Sequence, residues 1–367
     1  MRVTVLVLAA AACHYDLDAV DRPSGDGGPA DVADAPISDQ PNVVFLTSVE
    51  RAPPLFGGID GADDLCQDLA AAAADLPDGT YRAWLSSASD GIDARDRLGG
   101  ARGWVRPDGK PFADTVRDLV AGRIFYPAAL DQNGDDQSGG PVGALVATGT
   151  AADGTATGED CGGFTSNQGS LRLGRGDAGV DLWTAADLLN CTTDMRVYCF
   201  GVDRAHVLEP PAPGERLAFV TRAAFEVAGG LDGADDACAA DAEAAGLGDR
   251  SFKALLATSS ASALSRFELS PDRPWIRVDG VRVTDDFAAL TAPLEVTASG
   301  EEHVSRPVFT GAAGPDELGS ATCADWETGT GADSAQMGVS ARSSTEAFGG
   351  LGILPCDTPA HLYCLEP

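Results

Sequence analysis

The sequence has few basic residues. It contains 25 Lys and Arg against 56 Asp and Glu in 367 residues, which gives a formal net charge of −31. Proteins that bind DNA, RNA or heparin need a positively charged surface for the anionic partner. The charge therefore argues against nucleic acid and heparin as partners. The hydrophobic share of 44% is nevertheless that of an ordinary globular protein.

Histidine and long apolar runs are scarce as well. The four histidines are scattered along the chain at His14, His206, His303 and His361. The sequence has no GxSxG elbow, P-loop or HExxH motif, and Asp and Glu are too plentiful for any pair of them to indicate acid–base catalysis. No apolar run reaches the roughly 18–20 residues of a transmembrane helix. We therefore expect neither an enzyme nor a membrane-spanning helix.

The N-terminus has the pattern of an export signal. One Arg precedes an apolar run over residues 3–12, which is too short to span a bilayer and is typical of a signal peptide. The run ends in Ala-Ala-Ala-Cys13, which resembles the lipobox of bacterial lipoproteins. We expect residues 1–13 to be a signal peptide with lipid attachment at Cys13. Ordinary cleavage near Ala12 and a wrongly assigned start codon are the alternatives.

The next segment, residues 14–41, is rich in Asp, Gly, Pro and Ala and has little apolar surface to bury. Like charges repel, so this composition favours a disordered tether that holds the rest of the chain away from a membrane surface. An acidic binding tail is the alternative.

The remainder consists of two similar segments, about 172 residues apart. Residues 57–66 read GGIDGADDLC, and residues 229–238 read GGLDGADDAC. Further matches follow in the same order, including WVRPDG at 104–109 and WIRVDG at 275–280. We predict two domains, 42–202 and 217–367, with a Pro-rich linker over residues 203–216.

Each repeat has the pattern of an α+β fold. A first strand (43–48 and 217–222) leads to a helix that starts near Asp60 or Asp232. A second strand (81–85) and a short third strand (104–106) with a turn at 107–109 follow. Asp114 and Asp285 are candidate caps of a second helix (115–119 and 286–290). The last strand ends in Tyr-Cys in both repeats.

Eight cysteines remain after Cys13, four in each repeat. The first repeat has Cys66, Cys161, Cys191 and Cys199, and the second has Cys238, Cys323, Cys356 and Cys364 at similar spacings. Four cysteines per domain in an exported chain predict two disulfides per domain, with three possible pairings. Zinc does not fit this spacing, because there is no CxxC pair and only His361 lies near a cysteine.

This pattern resembles the C-type lectin-like superfamily, and within it the endostatin-like branch found in bacterial surface proteins of unknown function. The resemblance is carried by residues 229–238, by Trp104 to Gly109, by TGTAADGTATGEDC at 148–161 and by HLYC at 361–364. It implies tandem C-type lectin-like folds over residues 43–201 and 217–367. It also implies first-to-fourth and second-to-third disulfides, which are Cys66–Cys199, Cys161–Cys191, Cys238–Cys364 and Cys323–Cys356, and a binding role. The motifs that bind calcium and sugar in classical C-type lectins are missing.

One loop has the composition of a cation site. Asp131, Asn133 and Asp135 place oxygen atoms at alternate positions beside Gly134, which is typical of calcium loops. Val142 stands where an EF-hand would have Glu, so this is not an EF-hand. Calcium is one interpretation of the loop and a solvated turn is the other.

Two further sets of residues have structural and functional interpretations. The carboxylates at the helix starts favour capping over metal binding; they are Asp60, Asp63, Asp64, Asp232, Asp235 and Asp236. Four of the five tryptophans are expected in the core, namely Trp84, Trp104, Trp275 and Trp326. Trp183 is expected to be exposed, where an indole could stack on a sugar.

Together these patterns predict a secreted lipoprotein anchored in the outer membrane through its lipid alone. Its expected function is non-catalytic binding of an extracellular glycan, matrix component or protein partner, with avidity if both repeats bind. The alternatives are a structural spacer without a discrete ligand and an uncharacterised hydrolase. No cofactor is expected, apart from calcium at Asp131, Asn133 and Asp135.

Overall fold

The structure is a computed structural model that describes residues 35–138, 144–212, 214–285, 287 and 289–367. Cys13 and residues 14–34 of the predicted tether lie outside this part of the chain. Residues Asp34–Pro367 form one compact unit that contains both repeats. The predicted α+β class is confirmed, with several small sheets and four disulfides.

The first repeat has eight strands, four α-helices and two 3₁₀-helices (Pro53–Phe56 and Ala94–Leu98) among the described residues. The strands are β1 (Asn42–Leu46), β2 (Tyr81–Ala83), β3 (Trp104–Val105), β4 (Pro111–Ala113), β5 (Leu145–Ala147), β6 (Ser170–Arg175), β7 (Asp187–Asn190) and β8 (Tyr198–Gly201). The helices are α1 (Gly58–Ala72), α2 (Val116–Val120), α3 (Cys161–Phe164) and α4 (Leu182–Ala185).

The second repeat has the same strand order. Its strands are β9 (Arg216–Val220), β10 (Lys253–Ala254), β11 (Trp275–Arg277), β12 (Arg282–Thr284), β13 (Pro307–Phe309), β14 (Ser334–Val339), β15 (Ile353–Pro355) and β16 (Tyr363–Leu365). Its described helices are α5 (Gly230–Ala244) and α6 (Cys323–Trp326). No described helix combines the length and apolar character that a membrane span needs.

Each repeat is built on a five-stranded sheet, ordered β2-β8-β1-β3-β4 in the first and β10-β16-β9-β11-β12 in the second. A three-stranded sheet, β5-β6-β7 or β13-β14-β15, completes the repeat. The central strand pairs antiparallel with the last strand and parallel with the short Trp strand. The matching topology is the structural counterpart of the sequence repeat.

Alternation along β1 produces two core layers, because successive side chains of a strand point to opposite faces. Val43 and Phe45 pack with α1, and Val44 and Leu46 pack with Trp84, Trp104 and Trp183. The expectation that Trp183 is exposed is wrong, since it is only 1% exposed. Its ring packs against several aromatic rings. The sequence around Trp183 is irregular and gave no sign that α4 places this side chain in the core.

The predicted helix starts need correction in detail. Gly57 and Gly229, with φ of +76° in both, precede α1 and α5 without a side-chain cap, so neither Asp60 nor Asp232 is the cap. At α2 the cap is Thr115, which forms a capping box with Asp118. Asp114 instead pairs with Arg102, so the prediction that Asp114 caps this helix is wrong. Asp285 pairs with Arg282, and part of the helix predicted at 286–290 lies outside the described residues.

Candidate functional site

Four disulfides fix the frame of both repeats. They join Cys66 to Cys199, Cys161 to Cys191, Cys238 to Cys364 and Cys323 to Cys356. These are the pairs that the resemblance implied. In each repeat one bridge ties the long helix to the last strand, and the other closes the long loop that leads to it. All eight cysteines of these disulfides are buried.

The aspartates of the long helices α1 and α5 differ in their contacts: some are hydrogen-bonded to neighbouring segments and others are exposed. Asp63 accepts a hydrogen bond from the Ala83 amide and pairs with Arg97, and Asp235 does the same with Ala254 and Arg266. These carboxylates connect the helix to the next strand through hydrogen bonds and are not helix caps. We call each of these connections a clip. The neighbouring Asp64 and Asp236 are exposed.

The loop with Asp131, Asn133 and Asp135 is held by hydrogen bonds. Asp131 Oδ1 accepts bonds from the amides of Asn133 and Asp135 at 2.8 and 3.1 Å, and its Oδ2 accepts one from Gln137 Nε2 at 2.9 Å. Both oxygens of Asp131 therefore already have donors, as in an Asx-type turn. Asp131 is only 2% exposed, so this carboxylate is not solvated. Within the described residues, no three His, Cys, Asp or Glu side chains are placed to hold a metal ion.

The two repeats meet in a defined contact, which we call the joint. Its first-repeat side is Ile124, Tyr126, Asp177, Ala178 and Gly179, and its second-repeat side is Arg277, Arg282, Ala341, Arg342 and Ser343. The Gly179 amide donates to the Ala341 carbonyl at 3.0 Å, and the Ser343 amide donates to the Asp177 carbonyl at 2.9 Å. The joint is therefore a short backbone pairing between the repeats.

A buried ion pair reinforces the joint. Arg342 donates from Nε and Nη2 to the two oxygens of Asp177, both at 2.9 Å. Asp177 is fully buried and Arg342 is 5% exposed. Such a two-pronged geometry satisfies both partners and fixes their relative orientation. The repeats are thus held in one arrangement, which lets residues from both of them build a common site.

Beside the joint lies a cleft of about 280 Å³, the candidate binding site. Its lining comes from both repeats; it comprises Asp136, Ser138, Phe287, Ala289, Leu290, Ala313, Gly314, Pro315, Ser343, Ser344, Thr345 and Phe348. The lining combines apolar side chains with hydroxyl groups and one carboxylate. This mixture suits a compact ligand with an apolar face and polar edges.

Two details of the cleft are unusual. Phe287 has a φ of +61°, an uncommon conformation for a bulky residue, and its ring packs edge-on against Phe348 at 5.7 Å. The hydroxyl oxygen of Ser344 is buried and has no hydrogen-bond partner.

A second polar cluster lies on the second-repeat side of the joint. Arg277 is fully buried; it binds Asp279, contacts Glu295 at 3.4 Å and donates to the Ile124 carbonyl of the first repeat. Burial acts to raise the pKa of Asp279, but the charge and hydrogen bonds of Arg277 outweigh it and lower that pKa. Burial raises the pKa of Glu295, and His303 and Arg277 offset this only in part.

The sequence predictions missed Glu295, Gly179, Phe287 and Ser344. A signal for Glu295 exists, because backbone hydrogen bonds show that it occupies the position of Ala129 in the first repeat. Alignment of the two repeats therefore shows a carboxylate, between Leu294 and Val296, at a position where the first repeat has a buried methyl group. The cleft has no such signal, since its residues come from distant parts of the chain.

No family model matches this chain, and no curated protein is similar to it in sequence.

Proposed function

We propose that this chain is an exported, non-catalytic binding protein, anchored through a lipid at Cys13, whose two C-type lectin-like repeats share one ligand site. The lectin-like assignment is supported by two disulfides per repeat in the first-to-last and middle-pair pattern. The matching sheet order of the repeats supports two copies of one fold.

The cleft between the repeats carries the proposal. Its volume, about 280 Å³, suits a single sugar ring or one side chain of a protein partner. Phe287 and Phe348, whose rings are in contact, supply apolar lining, and Ser138, Ser343 and Thr345 add hydroxyl-bearing side chains. With a net charge of −31 and Asp136 at its edge, the cleft favours a neutral or cationic group.

The test is binding of the full chain, oxidised and carrying Cys13→Ser, to arrays of glycans and extracellular proteins, with calcium and with chelator. Ala313→Trp places an indole in the cleft and is expected to lower affinity at least tenfold. Ala74→Trp, on an exposed residue of the first repeat outside the cleft lining, is the matched control and is expected to leave affinity unchanged.

Each outcome has a distinct meaning. Binding that is lost in chelator would favour calcium at the Asp131 loop, whose Asp136 lines the cleft. Binding that survives both chelator and Ala313→Trp would place the ligand elsewhere on the surface. Absence of binding across both arrays would favour a structural spacer.

A further inference from the structure

A buried carboxylate and a buried imidazole face each other near the joint. Glu295 is fully buried and its Oε2 has no hydrogen-bond partner. The His303 side chain is 9% exposed, and its buried Nδ1 atom has no hydrogen-bond partner either. His303 Nδ1 lies 3.9 Å from Glu295 Oε1, beyond hydrogen-bond distance. Two unsatisfied buried polar atoms are costly, since each loses its water without gaining a partner. A single proton held by either member of the pair would offset part of this cost.

The first repeat closes over this pair. A Cβ atom on Gly179 would lie 2.2 Å from Glu295 Oε1, so a side chain at this position would collide with the carboxylate. The Gly179 amide in turn donates to the Ala341 carbonyl across the joint. Glu295 is therefore sealed by the same residue that pairs the two repeats.

The charges around Glu295 do not balance by themselves. One guanidinium, that of Arg277, faces the two carboxylates of Asp279 and Glu295. One negative charge remains in excess unless the Glu295–His303 pair holds a proton, and an uncompensated buried charge is strongly unfavourable. The groups that face Glu295 are Arg277, Asp279, His303 and Tyr363; those along the groove in front of His303 are Arg123, Glu301, Glu302 and Arg306.

His303 gives the pair a route to solvent. It lines an open groove of about 540 Å³ between the repeats, with Ala121 and Arg123 on one side and Glu301, Glu302, Val304 and Arg306 on the other. A proton can enter or leave through the imidazole while the joint stays closed. The first repeat has Ala129 in place of Glu295, so a pair of this kind exists only in the second repeat.

We propose that the Glu295–His303 pair is a proton-linked lock on the joint between the two repeats. With one proton on the pair the cluster is neutral and the joint is closed. Loss of that proton leaves a buried negative charge beneath Gly179 and loosens the joint. The proposal does not depend on what the cleft binds.

The sign of the pH dependence follows from the number of protons that the pair holds. Burial raises the pKa of Glu295, and the folded pair holds one proton. The Glu and His side chains of an unfolded chain together also keep one proton until pH reaches the ordinary His value of about 6.5. The stabilisation is therefore present just below that value and is lost as pH rises through the titration of the folded pair.

Hydrogen exchange of the full chain tests the lock. The Gly179 and Ser343 amides bond across the joint and are expected to lose about tenfold or more of their protection between pH 5 and pH 8, after correction for intrinsic exchange. Amides of β1 and β9 report each repeat separately and are expected to show no such loss. Unchanged protection of Gly179 and Ser343 would overturn the proposal.

Variants assign the effect to the pair. Glu295→Gln is neutral at every pH and is expected to keep the joint closed and pH-independent. Glu301→Gln, the same change on an exposed carboxylate of the groove, is expected to retain the original profile. If Glu295→Gln fails to fold, His303→Gln replaces it and must alter the profile. A profile that is unchanged in the folded pair variant would also overturn the proposal.

Discussion

Ala324 and Asp325 occupy left-handed backbone conformations that glycine adopts more easily. All four residues of α6 have positive φ, from +52° at Cys323 to +72° at Trp326. The equivalent turn of the first repeat, α3, has Gly162 and Gly163 at the two central positions. The second repeat therefore holds a strained turn, which Asp325 secures through hydrogen bonds to the amide and hydroxyl of Ser259.

At this scale we predict opposite effects of two single substitutions. Ala324→Gly is expected to stabilise the chain by about 0.5–1 kcal/mol. The left-handed conformation costs an L-residue about 1–2 kcal/mol, and glycine removes that strain. Glycine also makes the unfolded chain more flexible, which cancels part of the stabilisation. Gly162→Ala is expected to destabilise by about 1 kcal/mol. Both positions are exposed, but a Cβ atom on Gly162 would lie 3.2 Å from that of Ser166, which adds to the cost of Gly162→Ala. Denaturant unfolding measures both substitutions. A destabilising Ala324→Gly would contradict the strain argument.

At the scale of elements, the long helix of each repeat is fixed to its neighbouring strand by one carboxylate. Asp63 reaches the amide of Ala83 at 2.8 Å and Asp235 that of Ala254 at 2.9 Å. Each carboxylate also pairs with an arginine of a nearby 3₁₀-helix, Ala94–Leu98 in the first repeat and Ala263–Arg266 in the second. The sequence placed these aspartates on the helix, but only the position of the strand decided that they act as clips.

The clips predict a difference between adjacent aspartates. Asp63→Ala leaves a buried amide and an arginine without their acceptor, so we expect a loss of about 2–3 kcal/mol in the free energy of unfolding. Asp64→Ala removes an exposed carboxylate on the same helix and is expected to cost less than about 0.5 kcal/mol. Asp235→Ala and Asp236→Ala repeat the comparison in the second repeat. Equal losses within either pair would show that the clip contributes nothing.

At the scale of the whole molecule, the joint makes the two repeats one unit. A short backbone pairing, the ion pair of Asp177 with Arg342 and the hydrogen bond from Arg277 to Ile124 all cross it. The segment predicted as a linker also takes part in the packing, since Ala205 hydrogen-bonds to residues before β1. The cleft exists because this arrangement brings Asp136 and Ser138 to the second repeat.

We predict that Arg342→Met uncouples the repeats. It leaves Asp177 buried without its cation, at an expected cost of about 3–5 kcal/mol. Calorimetry is expected to resolve two unfolding transitions in place of one. Arg123→Met removes only an exposed ion pair with Asp118 and is expected to cost less than about 1 kcal/mol. A single unshifted transition for Arg342→Met would rule out the coupling role.

The sequence by itself determined the duplicated α+β plan, because repeated spacings of Gly, Asp, Trp and Cys encode local turns, helices and bridge positions. It also placed Trp84, Trp104, Trp275 and Trp326 in the core, where the structure has them. Only the tertiary structure decided that Trp183 is buried, that Asp63 acts as a clip and that Glu295 lies beneath Gly179. The physical reason is that these roles depend on contacts between segments far apart in the chain, whose energies no local pattern contains.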